Sequence, residues 1–131
     1  MPKSGLAFNH AMLYVKDSKR AVRFYRDLLG FKVISSIDGY ARVRAPRGGS
    51  TIGLHEFGPR AKRPPKGALS HRLYFEVRDL DAFCARLKNR GVKFDQEPED
   101  MPWGWRHAYL KDPDGHLLSL YFAGSRRLNA P

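Results

Sequence analysis

A repeat constrains this chain more than any other feature. The run His10 to Asp17 (HAMLYVKD), a helical stretch and Gly30 to Val33 (GFKV) recur as His71 to Asp79 (HRLYFEVRD), a second helical stretch and Gly91 to Phe94 (GVKF). The two histidines, like the two glycines, stand 61 positions apart, whereas the Val-x-Asp units are offset by 62. The one-residue slip falls inside the opening strand and predicts a bulge there. Two copies of one supersecondary unit in 131 residues predict a single domain made of two small, related modules.

Each copy reads as βαβββ. A β-rich opening strand (7–15, then 73–77) ends at an Asp, where Asp17 or Ser18 and Asp79 can cap a helix. Ala21, Tyr25 and Leu28, widened by Val22 and Leu29, make the apolar stripe of the first helix. Leu80, Phe83 and Leu87 make that of the second, with Cys84 beside them as a small, partly buried hydrophobe. Gly30 and Gly91 stand where helices stop. Strands are expected at 32–37, 40–45 and 51–57, then at 92–95, 106–111 and 116–122, with turns at Asp38-Gly39 and Asp112-Pro113-Asp114-Gly115. Module one thus runs from about 6 to 57, a linker covers 58–69, module two runs from about 70 to 123, and 124–131 form a frayed tail.

The charge narrows the function classes. Lys and Arg number 24 against 13 acids, a net charge of +11. The cations are dispersed: the densest run, Arg60 to Lys66, is broken by prolines, and Arg126-Arg127 lie in the tail. No basic helix or nucleic-acid-binding signature appears, so nucleic acid is disfavoured as a partner. No apolar stretch approaches membrane-spanning length and the N-terminus lacks a secretory apolar region, so a cytoplasmic protein is expected. One cysteine excludes an internal disulfide and a Cys-rich zinc site.

The repeat and its punctuation resemble the vicinal oxygen chelate superfamily, the glyoxalase/bleomycin-resistance/dioxygenase proteins. Asn9-His10, Val15-x-Asp17, Phe24-Tyr25-x2-Leu28-Leu29-Gly30-Phe31, Gly53-Leu54-His55-Glu56, Ser70-His71-x-Leu73-x-Phe75-x-Val77 and Arg106-x2-Tyr109-x2-Asp112-Pro113-Asp114-Gly115 carry the resemblance, over about residues 6–123. It implies an α+β fold in which two βαβββ modules form a curved open barrel around a cavity. It also implies a homodimer, and a metal held by residues on the first and last strands of each module. Such an ion would polarise two oxygens of a substrate through open coordination positions.

Matched residue by residue, His10 and His71 fall on the first-strand ligand positions. The other two fall on Gly53 and Ser119, where the family carries acidic or amide side chains. His55 shares a strand face with Gly53, so His10, His55 and His71 form a three-His candidate site. Glu56 points to the other side of that strand. The cofactor is then one divalent ion (Zn, Ni, Fe, Mn or Co) or none, with the histidines serving as hydrogen-bonding groups along a cavity. Trp103, Trp105 and Arg106 offer flat apolar surfaces beside a guanidinium, suited to a planar, anionic small molecule. Ser119 and Tyr121 share one strand face, and Tyr14, Met12 and His10 another, completing the expected lining. His107 and His116 are expected in solvent. Two readings follow: a small-molecule-binding protein, or a metal-dependent lyase, isomerase, thiol transferase or dioxygenase.

Overall fold

The computed structural model describes residues 5, 6, 8, 10–58 and 60–124. Ala7 and Asn9 of the opening strand, Arg126-Arg127 and the tail beyond Gly124 lie outside the described residues. Contacts divide the chain into two compact units, Met1–Ala68 and Leu69–Pro131. In the first unit β1 (His10–Val15) leads to α1 (Ser18–Arg23), which continues as a π-helical turn (Phe24–Leu28). Three strands follow: β2 (Lys32–Ile37), β3 (Tyr40–Arg44) and β4 (Thr51–Glu56). The second unit repeats the order with β5 (Arg72–Glu76), α2 (Leu80–Asn89), β6 (Phe94–Asp100), β7 (Arg106–Lys111) and β8 (Leu117–Phe122). The sheets have one topology, β1-β4-β3-β2 and β5-β8-β7-β6, with the first and last strand of each unit paired in parallel.

Local chemistry explains the boundaries. The Asp17 carboxylate accepts the backbone N–H groups of Lys19 and Arg20, and Asp79 accepts that of Ala82, so both helices start on an Asp cap. Gly30 and Gly91 stop the helical segments with φ of 81° and 88°, a left-handed turn that a side chain would resist. The π turn widens the first helix and rotates its stripe. Ala21, Phe24, Tyr25 and Leu29 are buried, while Leu28, expected inside, is half-buried. They cover Leu13, Val15, Ala41, Val43, Ile52 and Leu54, the alternate residues of their strands. In the second unit Leu80, Cys84 and Leu87 cover Ala108, Leu110, Leu118 and Leu120.

Two expectations are corrected by strand register. Among the described residues the opening strands contain no bulge: β1–β4 and β5–β8 pair without a shift, and the irregularities lie in β2 and β6. The one-residue slip arises because β5 begins at Arg72, leaving His71 in front of the strand. The strand expected at 92–95 runs instead from Phe94 to Asp100. It passes through Pro98, which is tolerated because β6 is an edge strand and its register is irregular. Among the described residues no helix is long and apolar enough to cross a membrane.

Candidate functional site

Each sheet has one face under its helix and one face opposite it, and pairing register makes those opposite faces comparable. The first parallel ladder opens at His10 with Thr51, and the second at Arg72 with Leu117. Position by position, His10 therefore corresponds to Arg72, Met12 to Tyr74, Gly53 to Ser119 and His55 to Tyr121. Across the antiparallel neighbour Tyr40 corresponds to His107 and Arg42 to Tyr109.

In the second unit this face is an aromatic cluster centred on His107. Trp105 stacks on Tyr121 (5.2 Å between ring centroids, 13° between planes) and lies nearly parallel to His107 (6.0 Å, 14°). His107 in turn stacks on Tyr121, and Tyr74 and Trp103 meet it edge-on. The tight turn between β6 and β7 brings the tryptophans there: Met101 N–H donates to the Trp105 carbonyl and Gly104 N–H to that of Met101. Trp103 Nε1–H points at His107 Nε2 over 3.4 Å, and an indole can only donate. The His107 hydrogen therefore sits on Nδ1 and is donated to Ser119 Oγ at 2.7 Å. Burial, helped by Arg72, lowers the His107 pKa and keeps the ring neutral. The Arg72 guanidinium itself lies 4.5 Å over the Tyr109 ring.

His107 was expected in solvent and is 2% exposed. Alternation on β7 could have found it, because His107 and Tyr109 share a face and pair with Tyr121 and Ser119. Trp103, Trp105, Ser119 and Tyr121 are thus brought together. Arg106 is not, since it is one residue out of phase with His107. Its guanidinium bonds Asp81 and Asp100, each at 3.0 Å, and these carboxylates hold its pKa up. His116, also expected outside, is 0% exposed and stacks on His71 at 5.1 Å. The Cys84 thiol is pushed up to about 11, by burial first and then by Asp81, so it is no thiolate nucleophile at neutral pH.

The corresponding face of the first unit is polar and cationic. Arg42 donates from Nε to Thr51 Oγ1 (2.9 Å) and from Nη2 to His10 Nδ1 (3.1 Å). The Tyr40 hydroxyl stands 2.7 Å from where a Cβ on Gly53 would be. His55 lies edge-on to Tyr14 and Tyr40, and its Nδ1–H donates to the Glu56 carbonyl at 2.7 Å. Glu56 turns to the helix side, where its carboxylate accepts Ser18 N–H.

Comparison with known proteins places this architecture. The family model for the Glyoxalase/Bleomycin resistance protein/Dioxygenase superfamily matches residues 7–120. The chain belongs to this superfamily. It is 32% identical to the uncharacterized protein YaeR of Escherichia coli (strain K12), over 86% of this chain and 93% of that one. TnmS3, an antibiotic binding protein from Streptomyces sp. CB03234, is 30% identical with a TM-score of 0.73, covering 90% of this chain and 97% of its own. A superfamily member from Sphaerobacter thermophilus DSM 20745 is 26% identical with a TM-score of 0.74, covering 91% and 99%.

Superfamily members often use a divalent metal, but the donors of this member do not suit one. His10 Nδ1 must accept from Arg42, which has only N–H donors, so the hydrogen sits on Nε2 and neither nitrogen presents a lone pair. Four residues of register separate His10 from His55, about 13 Å along paired strands. His71 precedes its strand, and Arg72 takes the place corresponding to His10. Among the described residues the His71 Nε2 is buried with no hydrogen-bond partner, and burial, then His116, lowers its pKa. Ser119 is occupied by His107, and the place above Gly53 by Tyr40. Among the described residues no three His, Cys, Asp or Glu side chains gather as a ligand set.

Proposed function

We propose that this superfamily member binds a planar small molecule against the aromatic cluster of its second unit, without a metal ion in the recognition. The observation that carries this reading is the near-parallel layering of Trp105, His107 and Tyr121, edged by Tyr74 and Trp103. Flat rings fixed in parallel offer a ligand stacking surface at low entropic cost. The neutral His107, locked between Trp103 and Ser119, keeps that surface free of charge at its centre. The net charge of +11 favours an acidic ligand over a cationic one. A relative at 30% identity that is an antibiotic binding protein supports binding as the function of this architecture. The reading takes the protein as a homodimer, on the family resemblance, which sedimentation of the full chain tests directly.

Calorimetric titration with 1-naphthoate and anthraquinone-2-sulfonate tests the site. Saturable binding unaffected by EDTA, and weakened about tenfold by Trp105→Ala, is expected. Absence of binding across such planar acids would sink the proposal. Binding that appears only after loading with Mn, Fe, Ni, Co or Zn would replace it with the metal-dependent reading.

A further inference from the structure

We propose that the helix-free face of the first unit is an oxyanion site, with Arg42 as the residue that takes a carboxylate or phosphate group. Arg42 differs from the arginines that are paired with carboxylates. Arg26 pairs with Asp27, and Arg106 pairs with two carboxylates. Among the described residues Arg42 is held only by neutral acceptors, the Thr51 hydroxyl and the His10 ring. These bonds orient the guanidinium without cancelling its charge.

The two bonds occupy the Nε and the adjacent Nη2 hydrogens, one edge of the planar fork. The end-on edge, formed by Nη1 and the second Nη2 hydrogen, has no partner among the described residues. Two parallel N–H groups at that edge match the two oxygens of a carboxylate or phosphate. The surroundings share the sign. On the same face Lys32 pairs with Arg44 and Ser35 pairs with Arg42, so two more cations and a hydroxyl flank the fork. The strand positions of this face, 10, 12, 14, 32, 35, 37, 40, 42, 44, 51, 53 and 55, include no Asp or Glu. An oxyanion there therefore meets a pre-oriented cation and no carboxylate from these strand positions.

This site stands on residues separate from the aromatic cluster, so either proposal can fail alone. The test is a titration of the full chain with inorganic phosphate and, separately, benzoate at constant ionic strength. It follows the Arg42 Nε–H resonance and the backbone amides of β3 and β4. Saturable shifts centred on Arg42 are expected with at least one anion, and the stronger one identifies the oxyanion class. Arg42→Gln should weaken binding at least fivefold, Arg42→Lys should weaken it because the fork is lost, and Arg106→Gln and Trp105→Ala should leave phosphate binding unchanged. The Arg42→Lys protein must keep the wild-type amide pattern outside β3 and β4, which separates lost binding from lost folding. Shifts reproduced by chloride, or binding that survives both Arg42 variants, would overturn the proposal.

Discussion

At position 53 of the first unit a glycine lies under the phenol of Tyr40, and at the corresponding position of the second unit Ser119 lies under the imidazole of His107. Both covers come from matching places on β3 and β7 and reach diagonally to the last strand. Around this common device the faces have diverged. His10, Arg42 and His55 in one unit stand where Arg72, Tyr109 and Tyr121 stand in the other. One face became cationic and hydrogen-bonding; the other became a stack of rings. The contrast teaches that a duplicated sheet keeps its backbone pairing and helix-side core while the opposite face is free to change chemistry. Core positions are packed under the helix in both units, whereas the opposite face buries His107 and Ser119 in one and leaves His10 and His55 exposed in the other.

The largest expected effect comes from forcing a carboxylate back under each cover. Ser119→Glu buries a charge beside a neutral His107 and is expected to cost about 4 kcal/mol in urea unfolding. Gly53→Glu meets only the end of the Tyr40 side chain and should cost less, about 2 kcal/mol, with part recovered in the Gly53→Glu/Tyr40→Ala double variant. Equal costs, or no recovery, would break the comparison between the two covers.

A smaller effect is expected with pH. The folded-state pKa of His107 lies below the ordinary 6.5 because of burial and then Arg72. Above 6.5 the ring is neutral folded or unfolded; as pH falls below it, the unfolded chain takes the proton first. Stability should therefore be lost as pH falls from about 6.5 through the lower folded-state value. Urea midpoints at about pH 7.5 and pH 5 should differ more in wild type than in His107→Gln, with His71, shifted the same way, carrying the remainder. An unchanged difference would remove His107 as a buried neutral group.

The smallest effect sharpens the contrast between two arginines. Arg106→Gln breaks two pairs whose carboxylates, on Asp81 and Asp100, are 65% and 84% exposed. It should change stability by less than about 1 kcal/mol and leave naphthoate binding as it was. A tenfold loss of naphthoate affinity would instead place Arg106 in the site.

Much of this molecule is legible in the chain because much of it is local. Asp17 and Asp79 cap helices through their nearest neighbours, Gly30 and Gly91 end helical segments by backbone freedom, and alternation along β7 and β8 sorts core from opposite face. That Trp103 and Trp105 come together was also readable, since one loop delivers both to His107.

Arg106 and His107 show where legibility stops. They are adjacent in the chain, yet one is spent on Asp81 and Asp100 while the other is the centre of the cluster. The same holds for His71, whose displacement by one residue gives its place to Arg72. The repeat, the caps, the turns and the periodicity of two determined the βαβββ fold and the family, since each is a short-range preference written in neighbouring residues. Which polar groups meet, which histidine nitrogen carries the hydrogen and which acceptors hold Arg42 and Arg106 were decided only by the folded sheets. Those outcomes depend on register between strands distant in sequence, and a shift of one residue moves a side chain to the opposite face.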